Sequence, residues 1–177
     1  AKLHDLQTRT KSSFSQLIKG IKNVRKEAKK REILIGSNTT INKLNYKYLP
    51  EIGKFLIKNK IKNSEFIFLD PTGGAHNNFY ELVPRINEVS PYVKKLLDIG
   101  IKNKISHWHV RYLPFCYLKG YENYISEKDS PFEKEIHLGP EFKNFDVEKS
   151  RKNIGRIKAN NCRYCIFDEF CEGVWKE

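Results

Sequence analysis

The stretch FIFLDPTGGA, residues 66–75, joins a short apolar run to a polar turn. Four consecutive apolar residues are typical of a strand that is buried on both faces of a parallel sheet. In α/β folds, ligands collect beyond the carboxyl ends of such strands, which is where this turn lies. Its Gly73 and Gly74 allow either the close approach of a cofactor or a plain strand-to-helix turn. The stretch therefore predicts an α/β fold with a candidate site at residues 70–74.

Strand and helix patterns alternate on both sides of this stretch. They predict two more strands, at 33–36 and 105–113, and three helices, at 12–30, 45–60 and 79–99. Pro84 and Pro91 are expected to divide or restart the last helix, because proline cannot donate a helical hydrogen bond. Three successive βα units predict a parallel sheet with right-handed crossovers.

The alternation ends near residue 120. Residues 126–146 are predicted to form a long, mostly irregular connection, and a short helix is predicted over 147–158. A connection of about 20 residues without secondary structure usually serves function or anchors another element. We therefore divide the chain into an α/β part, residues 1–120, and a cysteine-rich extension, residues 121–177.

Polar residues accompany the other two predicted strands. Residues 37–40 (Ser-Asn-Thr-Thr) follow the first strand, whereas His107, His109 and Arg111 share one face of the third by their period-two spacing. The two histidines can act as paired ligands or in acid–base chemistry, or they can be satisfied core groups. Arg111 can pair with a carboxylate of a cofactor or substrate.

The chain has four cysteines, Cys116, Cys162, Cys165 and Cys171. The last three lie within ten residues, which is too dense for buried core thiols to be the favoured interpretation. Four thiolates complete a tetrahedral Zn²⁺ site or hold a [4Fe–4S] cluster. In a reducing compartment, a Cys-x2-Cys pair indicates metal or redox chemistry more than a disulfide framework. The cysteines therefore predict a metal centre, with zinc and iron–sulfur both open.

Composition and charge limit the class of protein. A hydrophobic fraction of 39% argues against a disordered chain. No apolar run approaches the roughly 20 residues of a membrane span and no signal-peptide pattern occurs, so no membrane association and a cytoplasmic location are expected. The formal net charge of +12 suits a polyanionic partner such as nucleic acid. The lysines are spread along the whole chain, so a general bias of composition toward lysine would also explain the charge.

Several stretches together resemble the later βα units and the auxiliary iron–sulfur ending of radical S-adenosylmethionine proteins. They are NTTI at 38–41, PTGGA at 71–75, LPFCYLKGYE at 113–122 and CRYCIFDEFCEG at 162–173. The resemblance implies half of a (β/α)6 partial TIM barrel followed by a SPASM- or twitch-like extension. It implies an auxiliary [4Fe–4S] cluster on the four cysteines. It also implies that Asn38 and Thr40 contact S-adenosylmethionine, the alternative being a helix cap or a turn.

The defining Cys-x3-Cys-x2-Cys motif of that family does not occur in this sequence, nor does its Gly-Gly-Glu stretch. The chain is thus expected to be the C-terminal half of such an enzyme, truncated or split, and inactive by itself in radical chemistry. S-adenosylmethionine would bind only if the N-terminal half were supplied. A three-stranded parallel sheet also leaves an apolar edge, which the missing barrel half or a partner chain is expected to cover.

Two functions remain open. The first is an iron–sulfur protein, with a structural or electron-relay role if all four cysteines ligate, or with an iron open to substrate if Cys116 does not. The second is a basic zinc-binding module for nucleic acid, supported by the charge and the Cys-x2-Cys pair. The repeated βα units favour the first, because a zinc-ribbon module does not require them. The substrate is not identified by the sequence.

Overall fold

A computed structural model of the chain describes residues 1–28, 33–128, 136–140 and 143–176. The chain forms two compact units, Ala1–Gly36 and Ser37–Glu177. The division predicted at residue 120 falls within the second unit and stays a prediction. Among the helices that these described ranges contain, none has both the length and the apolar character that crossing a membrane requires.

The first unit contains two helices, α1 (Lys2–Gln7) and α2 (Ser13–Ala28). The Asp5 carboxylate joins them, because it accepts the backbone N–H groups of Ser12 and Phe14 at 2.8 Å each. These bonds satisfy amides at the start of α2, which have no partner within the helix. The bond from Phe14 is also the main reason why the pKa of Asp5 is lowered. The helix predicted from residue 12 is confirmed, although its last two predicted residues lie outside the described chain.

The second unit is a mixed α/β structure around a three-stranded parallel sheet, which confirms the predicted class. Its strands are β1 (Gly36–Ile41), β2 (Asn63–Phe68) and β3 (His107–Arg111). Its helices are α3 (Leu49–Lys58), α4 (Gly74–Asn77), α5 (Phe79–Leu82) and α6 (Ile86–Lys102). Single 3₁₀ turns lie at Tyr46–Tyr48, Phe115–Leu118, Glu122–Tyr124 and Ser126–Lys128. The three strands form an open sheet and do not close a barrel within the described chain.

The strands lie in the order β1, β2, β3. The register of β2 and β3 places Glu65 opposite His109 and Ile67 opposite Arg111. The free side of β3 is partly covered, because Val110 forms a parallel bridge with Ile125.

One face of the sheet is apolar and packs on α3 and α6. Trp108, with 1% of its surface exposed, fills this layer and meets Phe66 edge to face at 5.6 Å between ring centroids. A Cβ atom added at Gly100 would lie 2.7 Å from the Trp108 ring, and one at Gly53 would lie 2.7 Å from Leu96 Cδ1. The two glycines therefore let the helices approach the sheet closely enough to enclose the indole.

The opposite face of the sheet is polar. On this face Glu65 and His109 are cross-strand neighbours, and Arg111 is the next residue of β3 that shares the face. Glu65 Oε1 accepts a hydrogen bond of 2.7 Å from Ser126 Oγ. The two histidines of β3 share this face, as their spacing predicts, but His107 is exposed and His109 is half-buried. Within the described residues, apolar packing thus covers the strands on one face, whereas the apolar runs predict cover on both.

The first predicted strand was misplaced. It was expected at 33–36, but β1 begins at Gly36, and Leu34 is 80% exposed. Hydrogen bonds fix the observed position, because Ser37 Oγ lies 2.9 Å from Ser64 Oγ and Leu69 N–H donates to the Ile41 carbonyl at 3.0 Å. Residues 37–40 are therefore inside the strand and not beyond it. The edge that β1 presents is consequently polar, contrary to the expected apolar edge.

The helix boundaries test the role of the two prolines. Pro84 separates α5 from α6, as predicted. The expectation for Pro91 is wrong, because this residue lies inside α6 without ending it. Its side chain is exposed, whereas its neighbours Val89 and Val93 are fully buried and hold the helix against the core.

The extension has little regular structure. It contains β4 (His137–Leu138) with β5 (Lys143–Asn144), α7 (Val147–Ser150), a π-helical turn at Arg151–Gly155, β6 (Arg156–Ile157) with β7 (Val174–Trp175), and a 3₁₀ helix at Asn160–Tyr164. Residues 129–135 and 141–142 of the predicted connection lie outside the described chain. The helix predicted to reach residue 158 ends early, because Arg156 and Ile157 instead pair antiparallel with Trp175 and Val174.

Candidate metal centre

Each of the three cysteines of the extension lies in a tight turn. Cys162 lies in the 3₁₀ helix, where its N–H donates to the Ala159 carbonyl at 2.9 Å. The Cys165 N–H donates to the Cys162 carbonyl at 2.8 Å, and the Cys171 N–H donates to the Phe167 carbonyl at 2.8 Å. Each cysteine backbone is therefore fixed by a turn, which is how a short irregular segment can present several thiols together. We call residues 162–171 the cysteine loop.

Two thiols accept hydrogen bonds from backbone amides. Phe167 N–H donates to Cys165 Sγ at 3.5 Å, and Gly173 N–H donates to Cys171 Sγ at 3.4 Å. In iron–sulfur proteins, hydrogen bonds to the sulfurs tune the reduction potential. The loop is thus organised around its sulfur atoms.

The fourth cysteine comes from the segment after β3. Cys116 lies in the 3₁₀ turn Phe115–Leu118 and is exposed. The neighbouring Phe115 is buried, and its ring stacks on Phe167 with centroids 5.4 Å apart. Because Phe167 lies between Cys165 and Cys171, this stack holds the Cys116 segment against the cysteine loop.

The electrostatics of Cys116 report the same proximity. Partial burial raises the pKa of its thiol, and the charges of Cys171, Cys165 and Cys162 raise the pKa further. A bound metal draws thiols into the thiolate form. The three cysteines of the loop therefore lie near enough to Cys116 to affect its pKa.

The donor set suits a thiophilic metal. All four cysteines are free thiols, and four thiolates fit either zinc or a [4Fe–4S] cluster. Among the residues that the structure describes, no three Cys, His, Asp or Glu side chains already stand close enough to form a finished metal-binding group. Neither metal is selected by this arrangement.

The other predicted cofactor residues are distributed differently. Asn38 and Thr40 are exposed residues within β1, so their predicted place beyond a strand end is wrong. Gly73 (φ +55°) is an exposed residue of the turn before α4, and Gly74 begins that helix. Arg111, the last residue of β3, is buried with its guanidinium 5.0 Å from the Tyr112 ring centroid. Their cofactor roles stay predictions.

Two cavities lie near these elements. The larger, of about 640 Å³, is lined by residues that follow the carboxyl ends of all three strands (Lys43, Pro71 and Tyr112) together with Tyr117 and Trp175 of the cysteine segments. The smaller, of about 490 Å³, includes Gly73 in its wall. A site beyond the carboxyl ends of the strands is where the α/β pattern predicts one. The aromatic and basic lining of the larger cavity, from Phe79, Tyr80 and Arg85, could not be predicted from the strand patterns.

Sequence reasoning also missed a buried ionic cluster in the extension, formed by Arg151, Arg156 and Glu172. Charged residues in an irregular, lysine-rich segment are normally solvated, so no pattern in the sequence sets these three apart. At the start of the extension, the Tyr121 hydroxyl donates to Asp98 of α6 at 2.7 Å.

Comparisons with protein-family models, with curated proteins and with solved structures found no match for this chain.

Proposed function

We propose that this protein binds an iron–sulfur cluster through Cys116, Cys162, Cys165 and Cys171. The observation that carries the proposal is the stack of Phe115 on Phe167, since it joins the cysteine after β3 to the loop that holds the other three. Chance burial of four thiols would not require the two cysteine segments to meet in this way. The pKa of Cys116, raised by burial and then by the charges of the other three cysteines, supports the same interpretation.

Three features favour iron–sulfur over zinc as the resident metal. Amide hydrogen bonds reach the sulfurs of Cys165 and Cys171. Phe115 and Phe167, which are close in sequence to Cys116 and Cys165, stack on each other, and side chains that limit solvent access tune a cluster's potential. The resemblance to radical S-adenosylmethionine proteins implies a [4Fe–4S] cluster at these cysteines. With all four cysteines as ligands, the cluster is saturated by protein and serves structure or electron relay.

The α/β part suits the C-terminal half of a (β/α)6 partial barrel. Three features of the described residues support this inference: three parallel strands, helices packed on the apolar face, and a polar opposite face that carries Glu65, His109 and Arg111. A barrel lumen is lined by such a face. We infer that an N-terminal half or a partner chain covers it, that S-adenosylmethionine binds only with that half, and that this chain alone does not perform radical chemistry.

The test is metal analysis of protein purified without oxygen. Iron and acid-labile sulfide in equal amounts, with the broad visible absorbance of a cluster, are expected. Replacement of Cys162 or Cys165 by serine should lower both, because each removes one of the four ligands. Stoichiometric zinc without sulfide would refute the iron–sulfur proposal and favour the zinc-binding alternative, whose nucleic-acid binding a salt-dependent titration with single-stranded RNA would then examine.

A further inference from the structure

A buried ion pair lies directly beside Cys171. The next residue, Glu172, is 8% exposed, and both of its carboxylate oxygens are bound by Arg151. Arg151 Nε donates to Oε2 at 2.7 Å and Nη2 donates to Oε1 at 2.6 Å, with the two side chains 8% and 4% exposed. This two-point geometry fixes orientation as well as distance, which a single contact does not.

A second arginine completes the cluster and ties it to the sheet. Arg156 Nε lies 3.7 Å from Glu172 Oε2. Its guanidinium carbon lies 3.6 Å from the Trp175 ring centroid and 4.7 Å from the Tyr112 ring centroid. Tyr112 directly follows β3 and stands shortly before Cys116 in the chain. The cluster of Arg151, Arg156 and Glu172 therefore connects the end of the sheet with the residue that follows Cys171.

The backbone on both sides of Cys171 is constrained as well. Its own N–H is bonded to Phe167, and the Gly173 N–H is bonded to its sulfur. Gly173 has φ +83°, and a Cβ atom there would lie 2.2 Å from the Ile157 carbonyl oxygen. With Glu172 held at its carboxylate and Gly173 held at its backbone, the peptide has little freedom to turn the Cys171 thiol away.

We propose that the cluster of Arg151, Arg156 and Glu172 positions the Cys171 thiol for metal binding before a metal arrives. Glu172 is a positioning residue, since it acts through the adjacent cysteine and does not itself ligate. This inference rests on the proposed function. Groups that orient metal ligands typically contribute about 10- to 100-fold to metal affinity, and the same effect is expected here.

The experiment titrates the reduced, metal-free full chain with Co²⁺, whose thiolate charge-transfer absorbance reports how many sulfurs bind. Glu172→Gln should weaken Co²⁺ binding about 10- to 100-fold. At saturation, the absorbance should fall by the share of one thiolate in four. Arg151→Lys keeps the charge but loses the two-point geometry, so an intermediate loss is expected. Asp168→Asn is the matched control, because it breaks the exposed Lys158–Asp168 ion pair of 3.0 Å within the same loop and should leave affinity and spectrum unchanged.

A purely structural role must be separated from positioning. Removing one partner of a buried ion pair leaves an uncompensated charge, which can unfold the chain by itself. The double variant Arg151→Gln/Glu172→Gln removes both charges, and its folded fraction is measured by urea unfolding without metal. Affinity that remains low after correction for that fraction supports positioning. Wild-type affinity in the double variant, or a loss that only follows the unfolded fraction, overturns it. If the wild-type chain itself fails to bind Co²⁺ through its thiols, the proposed function fails instead.

Discussion

Phe115 and Phe167 stack with their ring centroids 5.4 Å apart and their planes inclined by 30°. Phe115 belongs to the segment that leaves the parallel sheet, and Phe167 belongs to the cysteine loop. The contact thus joins two parts of the chain that are far apart in sequence. Each ring is close in sequence to cysteines that we propose as metal ligands. The coupling energy between the two rings is therefore a direct test of how the proposed centre is assembled.

The stack should have a measurable coupling energy. An aromatic pair contributes about 0.5–1.5 kcal/mol beyond its buried area. In a double-mutant cycle with Phe115→Leu and Phe167→Leu, we expect a coupling of about 1 kcal/mol in the free energy of unfolding of the metal-free chain. Phe170→Leu, at a position 46% exposed in the same loop, should change stability little. A cycle that closes with no coupling would show that the two segments do not meet.

Gly173 should tolerate no side chain. Alanine there meets both the left-handed backbone, φ +83°, and the Ile157 carbonyl. At Gly120, φ is +89° but nothing lies within 4 Å of an added Cβ, so Gly120→Ala should cost only the backbone strain of about 1–2 kcal/mol. Gly173→Ala should cost clearly more in urea unfolding and should also weaken metal binding. Equal costs for the two variants would argue against the close approach of β6 and β7.

The enclosure of Trp108 predicts an order of effects in the core. Gly100→Ala places a methyl group against the buried indole, whereas Gly53→Ala places one against the end of the Leu96 side chain. Overpacking costs about 1–3 kcal/mol, and a leucine methyl can move more easily than a buried ring. The midpoint of thermal unfolding should therefore be lower for Gly100→Ala than for Gly53→Ala, and lower for both variants than for the wild type. A reversed order would mean that the helices lie on the sheet differently.

Glu127 should make the folded chain less stable as pH rises. Burial raises the pKa of its carboxyl above the ordinary 4.5, opposed by the N–H bond from Tyr112. Its Oε2 is buried and has no hydrogen-bond partner among the described residues. The folded chain therefore keeps a proton that the unfolded chain releases above about pH 4.5. From there upward, the free energy of unfolding falls until the folded carboxyl has also ionised.

The measurement is urea unfolding across this range. Glu127→Gln should remove this decrease in the free energy of unfolding. The difference in unfolding free energy between variant and wild type should then grow with pH and level off. Glu122→Gln serves as the control of opposite sign. The bond from Gly120 N–H lowers the pKa of Glu122, so this residue contributes stability that is lost as pH falls. Parallel stability curves for Glu127→Gln and the wild type would refute the assignment.

The parts of the fold set by local pattern could be predicted from the sequence. The periodic apolar residues of α2 and α6 place both helices, the apolar run at residues 66–69 places β2, and β3 falls within the predicted span 105–113. The first strand could not be placed this way. Pairing with β2 places its polar residues, such as Ser37 and Thr39, in the strand, and this is a tertiary effect. The apolar run just before it, Ile33 and Leu34, is exposed.

The candidate site also has one part that the sequence predicts and another that it does not. Spacing alone singles out Cys162, Cys165 and Cys171, and thiol chemistry adds Cys116. The buried cluster of Arg151, Arg156 and Glu172 has no such signal, because burial of a charge depends on partners brought together only by folding. Positions inside irregular segments are therefore where sequence reasoning is weakest.

The central claim is that Cys116 and the cysteine loop form one metal site. It is tested most directly by anaerobic reconstitution of the wild type and Cys116→Ser with iron and sulfide, with Lys119→Ala, an exposed change in the same segment, as control. The account predicts about four iron and four sulfide ions per chain for the wild type and the control. It predicts a lower content for Cys116→Ser, with a changed electron paramagnetic resonance spectrum. Unchanged content and spectrum for Cys116→Ser, or a wild type that takes up neither iron nor sulfide, would contradict it.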